Sequence, residues 1–283
     1  MELNKWELED LIKKAFAEDV KTGDVTTNSI IPAEAVTTGY IYAKESGVVA
    51  GLPVAETVFK MLNLGITFIP FKQDGDKIEA EETLAQVSGE ARAVLTGERV
   101  ALNLLQRLSG IATRTARIVE LLTYYNTKVV DTRKTTPGLR FLEKYAVRMG
   151  GGHNHRFGLY DAVLIKDNHI KVAGGIMKAV AMARQKAPHT MKIEVEVENL
   201  EGVREALEAR AEIIMLDNMD LETMAKAVEM VNGEALLEAS GGIQEDQVVE
   251  IAKLGIDLIS IGALTHSVKA LDISLDVGEI KTR

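Results

Sequence analysis

The sequence has no cysteine, five prolines, one tryptophan and only 5% aromatic residues in 283 positions. Without cysteine there is no disulfide, no thiolate metal site, no iron–sulfur cluster and no cysteine nucleophile. Basic residues are the minority among the charges: 33 Lys and Arg stand against 42 Asp and Glu, a formal net charge of −9. A chain built to grip nucleic acid carries the opposite balance. Long apolar runs are missing as well. The longest stretches without a charge are 61–71 and 258–268, well short of the roughly 20 residues that span a bilayer. The first twenty residues include Glu2, Lys5, Glu7, Glu9, Asp10, Lys13, Lys14, Glu18 and Asp19, which leave no room for the apolar region of a signal peptide. A cytoplasmic protein without membrane contact is expected. Hydrophobic residues at 46% and charged residues at 27% are ordinary globular usage, and the length suits about two domains.

Apolar positions at Leu8, Leu11, Ile12, Ala15 and Phe16 predict an amphipathic helix over 4–18. A turn-rich stretch runs from Lys21 to Pro32. Short β-like runs follow over 36–50 and 66–95, and Asp74-Gly75-Asp76 reads as a tight turn between strands. From Gly97 to about Tyr125 the pattern becomes helical, and Gly110 is expected to break or bend that helix. Six aliphatic runs then recur at 128–131, 162–166, 192–197, 213–216, 235–238 and 257–261. Helical segments at 174–186, 201–210, 220–231 and 245–254 separate most of them, which is the mark of parallel βαβ units. The alternation alone allows an open doubly wound sheet or a barrel. Each run ends in polar residues or glycine, and a barrel gathers such ends into one ring on a single face. A barrel explains the distribution better.

Those strand ends suggest chemistry. Residues 128–171 hold nine Lys and Arg against four acids, together with His153, His155 and His169. A basic concentration inside an acidic chain suggests a pocket for a small polyanion. Ser240-Gly241-Gly242 and Gly262-Ala263 follow the last two strands, where barrels commonly build a phosphate site from backbone N–H groups. Glu196 and Asp217 end neighbouring strands and suit Mg²⁺, or else pair with the facing cations. Glu194, Glu196 and Glu198 share one strand face. Lys166 suits either an anion-binding role or a Schiff base.

Three stretches are specific enough to name a family: Thr132-Arg133-Lys134-Thr135-Thr136-Pro137-Gly138-Leu139-Arg140, Glu143-Lys144-Tyr145-Ala146-Val147 and Gly150-Gly151-Gly152-His153-Asn154-His155-Arg156. Together with Lys166-Asp167-Asn168-His169, Met215-Leu216-Asp217-Asn218, Glu238-Ala239-Ser240-Gly241-Gly242 and Gly262-Ala263-Leu264-Thr265-His266-Ser267, they resemble quinolinate phosphoribosyltransferase. Gly23-Asp24-Val25-Thr26-Thr27 and Glu98-Arg99-Val100-Ala101-Leu102-Asn103 extend the resemblance over nearly the whole chain.

The resemblance implies an α/β fold, an incomplete β/α barrel with an N-terminal α/β sandwich domain. The sandwich would take 1–105 joined by a C-terminal tail at 270–283, and the barrel 106–269. It implies transfer of phosphoribosyl from 5-phosphoribosyl 1-diphosphate to quinolinate, giving nicotinate mononucleotide, pyrophosphate and CO2. Arg133, Arg156 and Lys166, with His155 nearby, would bind the quinolinate carboxylates beside Thr132, with Lys134 central to the reacting groups. Glu196 and Asp217 would serve the ribose hydroxyls and Mg²⁺, so that Lys134, Lys166, Glu196 and Asp217 are the catalytic set. Ser240, Gly241 and Gly242 with Ile261, Gly262 and Ala263 would hold the 5-phosphate. Arg99 would cross from a second copy in a homodimer with shared sites, a hexamer being the larger assembly. The rivals are a transport-associated paralogue of the same fold, a nicotinate phosphoribosyltransferase, a Schiff-base lyase centred on Lys166 and a non-catalytic binding protein.

Overall fold

The computed structural model describes residues 3–278. Five strands precede one long helix: β1 (Val36–Ala43), β2 (Gly47–Val48), β3 (Thr67–Pro70), β4 (Lys77–Ile78) and β5 (Thr83–Glu90). Six follow it: β6 (Lys128–Val130), β7 (Val163–Ile165), β8 (Ile193–Val197), β9 (Ile213–Asp217), β10 (Leu236–Ser240) and β11 (Leu258–Ser260), with β12 (Ile273–Val277) last. Two compact units result. One takes in the chain up to Ala116, Thr136–Gly151 and the chain from Ser267 onward; the other is Arg117–Thr135 with Gly152–His266.

The first unit is an antiparallel sheet in the order β12-β1-β5-β3 with helices against it. Helix Leu52–Leu62 buries Val54, Ala55, Val58 and Phe59, and the Phe59 ring stacks on Phe68 of β3 at 6.3 Å. Burying a side chain of that size contributes about 1.5–3 kcal/mol. The expected tail carries β12 as far as Val277, and residues 279–283 of it lie outside the described residues. Helix Lys5–Asp19 begins where the periodicity places it, with the Asn4 side chain accepting from Trp6 and Glu7 N–H.

Two expectations change here and a third is refined. The turn-rich stretch contains a short helix, Val25–Ile30, started by Asp24 accepting from Thr27 N–H at 2.9 Å; one cap suffices where no apolar period announces a helix. Asp74-Gly75-Asp76 is a turn between two strands, as expected, but β3 and β4 on either side of it do not pair with each other: β4 pairs with β2 and β3 with β5. Asp74 accepts the N–H groups of Gly51 (2.6 Å) and Leu52 (3.0 Å) at the start of helix Leu52–Leu62. Finally, helix Ala91–Leu121 runs through Gly110 without a break. A Cβ there would lie 2.2 Å from the Lys269 carbonyl oxygen, so close backbone approach explains that glycine.

The second unit is a six-stranded parallel sheet ordered β6-β11-β10-β9-β8-β7. Consecutive strands are neighbours throughout except that β6, the first, pairs with β11, the last. The remaining gap, between β6 and β7, makes the barrel incomplete. On that side β6 is met by a single parallel bridge, Val130 to His153. Alternate residues serve two layers. Val195, Ile214, Ala239 and Ile259 are fully buried, while the residues between them, Glu194, Met215, Glu238 and Ser260, point the other way, into the barrel.

Candidate active site at the barrel mouth

A cavity of about 580 Å³ opens at the C-terminal ends of the barrel strands, the face where barrels carry their chemistry. Cross-strand register sets its floor: Met215 pairs with both Glu196 and Glu238, and Asp217 pairs with Ser240 one step nearer the mouth. Of the expected residues, Thr132, Arg133, Lys134, His155, Arg156 and Lys166 line the cationic side. Glu196 and Asp217 line the acidic side, with Ser240, Gly241 and Gly242 beside them. Ile261, Gly262 and Ala263 are not among the lining residues, although a Cβ on Gly262 would meet the Lys134 side chain at 2.9 Å. Arg99 belongs to the first unit, on helix Ala91–Leu121, with a half-exposed side chain.

The loop after β6 and the glycine-rich segment are fastened by one buried acid. Asp131 is fully buried; its Oδ1 accepts His155 N–H at 2.9 Å and its Oδ2 accepts from Asn154 Nδ2 at 2.6 Å. Thr265, also buried, donates from Oγ1 to the Lys134 carbonyl at 2.7 Å. These bonds place Arg133, Lys134 and Arg156 without using their charges. Asp161 folds the next loop by accepting from Phe157 N–H and Gly158 N–H, and Arg156 Nη1 donates to the Ala162 carbonyl.

Arg156 carries its charge in an unfavourable place. Burial, and then the neighbouring Arg133, push its guanidinium below the ordinary arginine range, with Glu194 and Asp161 acting in the opposite sense. Its Nε is buried without a hydrogen-bond partner. An orphaned buried donor costs about 1–3 kcal/mol until an acceptor arrives. A carboxylate is the natural acceptor, since it accepts two parallel N–H bonds from one guanidinium.

Beneath this pair lie two acids that sequence reasoning left out of the site. Glu194 and Glu238 are buried, and each has one oxygen with no hydrogen-bond partner. Burial, then the charge of Glu194, raise the Glu238 carboxyl to about 7, while His155 and Ser260 pull it down. The signal was present in the sequence as a carboxylate in mid-strand flanked by apolar residues, Ile193-Glu194-Val195 and Leu237-Glu238-Ala239. Ligand atoms of His155, Glu194 and Glu238 lie within 4.8 Å of one another, yet the trio does not suit a metal. Arg156 N–H donates to His155 Nδ1 at 2.7 Å, so the neutral ring carries its proton on Nε2, 3.1 Å from Glu194. A nitrogen bearing a proton offers a metal no lone pair.

On the acidic side Lys166 Nζ is ion-paired with Glu196 Oε2, and Asn218 Nδ2 donates to Asp217 Oδ2 at 2.8 Å. Each carboxylate thus spends one oxygen within the protein, leaving hard oxygen donors of the kind Mg²⁺ takes alongside substrate oxygens. An ammonium paired with a carboxylate has no lone pair for a carbonyl, which disfavours a Schiff base at Lys166. His169 does not line the cavity; its Nδ1 accepts from Lys166 N–H at 2.9 Å.

Two arginines, two lysines, facing carboxylates and glycine loops on one barrel mouth define an enzyme that handles phosphorylated and carboxylated anions together. The chain belongs to the quinolinate phosphoribosyl transferase family: the family's C-terminal domain matches residues 111–276 and its N-terminal domain residues 24–109. The chain is 48% identical over 275 residues to the probable carboxylating nicotinate-nucleotide pyrophosphorylase of Bacillus subtilis, covering 97% of this chain and 95% of that one. It is 47% identical over 276 residues to the protein of the same name from Methanocaldococcus jannaschii, covering 94% and 96%. The crystal structure of NadC from Streptococcus pyogenes superposes with a TM-score of 0.94 at 45% identity, covering 99% of this chain and 100% of that one. Among the described residues no helix is long and apolar enough to cross a membrane.

Proposed function

We propose that the chain transfers phosphoribosyl from 5-phosphoribosyl 1-diphosphate to quinolinate with loss of CO2, forming nicotinate mononucleotide and pyrophosphate in the synthesis of NAD. The observation that carries this is the Arg133–Arg156 pair, with a buried guanidinium nitrogen lacking an acceptor. Two adjacent guanidiniums suit a planar ring bearing two adjacent carboxylates better than one bearing a single carboxylate.

In this reading Arg133 and Arg156, with Lys166 and His155, grip the dicarboxylate and aim the pyridine nitrogen at the anomeric carbon. The glycine loop Ser240–Gly242 and the Ile261–Ala263 turn hold the 5-phosphate, and Glu196 and Asp217 hold the ribose hydroxyls. Positive charge builds on the ribose ring as its bond to pyrophosphate breaks and the bond to nitrogen forms. The carboxylates of Glu196 and Asp217 stabilise that charge in place, without reorganising. The ribosylated nitrogen is cationic, so its charge stabilises the electron pair left on the neighbouring ring carbon when the carboxylate departs as CO2, and a proton then bonds to that carbon through the same pair. Lys134, central to the reacting groups, neutralises the departing anions. Orientation does most of the work, because two bound reactants replace a bimolecular encounter.

Glu196 and Asp217 are also the residues that would hold Mg²⁺, which when bound supplies charge neutralisation for pyrophosphate. The same reading makes the enzyme a cytoplasmic homodimer, or a hexamer built of three such dimers, in which Arg99 reaches the site of a second copy. The test is an absorbance assay for nicotinate mononucleotide with quinolinate, 5-phosphoribosyl 1-diphosphate and Mg²⁺, run in parallel with nicotinate replacing quinolinate. Product from quinolinate alone is expected. Product from nicotinate alone, or from neither, would overturn the assignment.

A further inference from the structure

The residue after Asp217 has a conformation and a set of contacts that catalysis by Asp217 does not by itself require. Asn218 follows β9 in the left-handed region, at φ 53°, where asparagine is one of the few side chains tolerated. Its N–H donates to the Ser240 carbonyl at 3.0 Å, which carries the β9–β10 ladder one step past the Asp217–Ser240 pair. Its Nδ2 donates to Asp217 Oδ2 at 2.8 Å. Its amide also lies close against Gly241: a Cβ there would fall 2.3 Å from Asn218 Oδ1 and 2.6 Å from Asn218 Cγ. Gly241 itself has φ 101°, so conformation and space both demand glycine. Asn218 lines the cavity, and it touches both halves of the acidic side.

We propose that Asn218 is a positioning residue for the phosphoribosyl donor: its amide aims the Asp217 carboxylate while its bulk holds the Gly241 turn open. This rests on the reading of Asp217 and the Ser240–Gly242 loop as the donor's side of the site. The alternative side chains each lose something definable. Aspartate keeps the shape but cannot donate to Asp217, and it sets a like charge beside it. Glycine keeps the left-handed backbone but removes both the donor and the wall against Gly241. The dicarboxylate side, around Arg133 and Arg156, has no hydrogen bond from Asn218, so its affinity is untouched in this arrangement.

Steady-state kinetics on wild type, Asn218→Asp and Asn218→Gly separate the possibilities. Both variants should raise KM for 5-phosphoribosyl 1-diphosphate about tenfold, the size expected for one charge-assisted hydrogen bond, and leave KM for quinolinate within about twofold. Circular dichroism and the melting temperature check that both variants fold. With an active wild type, two unchanged KM values, two that rise together, or a loss confined to kcat would overturn this inference alone. A wild type silent with these substrates would overturn the functional reading and this inference with it.

Discussion

Glu238 offers a stability experiment whose magnitude follows from its surroundings. Its carboxyl sits at 1% exposure within the barrel and is raised from 4.5 to about 7, chiefly by burial. Between those two values the native chain holds a proton that the unfolded chain has released. Native protein then binds more protons than unfolded, so stability falls as pH rises through this window. From pH 5.5 to 8.5 this one group removes about 2 kcal/mol. For a chain of this length that is roughly 3 °C in melting temperature. Glu238→Gln keeps the shape and never ionises. Calorimetry on both proteins across that range should therefore show the melting temperature of the variant gaining on wild type by about 3 °C as pH rises. Titrating groups remote from Glu238 are common to the two proteins and cancel in the difference, so what is left belongs to Glu238 with its neighbours Glu194 and His155. Two curves that stay parallel from pH 5.5 to 8.5 would refute the picture of a buried, proton-bearing carboxyl.

Three more outcomes are expected. Arg133→Ala or Arg156→Ala should lower kcat/KM for quinolinate by about a hundredfold or more, because a charged hydrogen-bond partner of a desolvated carboxylate is lost; wild-type kinetics in both would remove these residues from the site. Excess EDTA should abolish turnover and added Mg²⁺ restore it, as expected of a pyrophosphate-releasing site with two carboxylates; undiminished turnover in the chelator would exclude the metal. Gly110→Ala should lower the melting temperature by several degrees, since a Cβ placed 2.2 Å from the Lys269 carbonyl oxygen forces a backbone shift costing about 1–3 kcal/mol; a rise would mean that helix propensity outweighs the clash.

The barrel was legible because its strands are short, aliphatic and evenly spaced. The expected run 192–197 is the strand Ile193–Val197, and 213–216 is Ile213–Asp217. Strand-end residues were legible too, since polar groups after an apolar run mark the rim. Depth within the barrel was not. Alternation puts Glu194, Glu196 and Glu198 on one face, but only the tilt and closure of the sheet decide that Glu194 is buried, Glu196 half-buried and Glu198 exposed. The basic segment misled in part for a similar reason. Arg140, Lys144 and Arg148 lie on helix Arg140–Met149 of the first unit, outside the cavity lining. Charge counted along the chain says nothing of which unit each residue joins. Helix Val25–Ile30 and the role of Asp74 depend on single capping bonds, which leave no periodic trace.

The pairing of β6 with β11 also shapes how the chain comes into being. Lys128–Val130 meets its partner only when Leu258–Ser260 exists, about 130 residues later, which at usual synthesis rates is a wait on the order of ten seconds. β1 waits longer still for β12. In both units, then, an early strand has an unfilled edge until the last stretch of chain emerges, and unpaired edges of this kind invite association with other chains. Contacts so distant in sequence also slow the search for the native state. A nascent chain of this protein is therefore exposed to aggregation for as long as β11 and β12 have yet to emerge, and a ribosome stalled near residue 250 would hold it there.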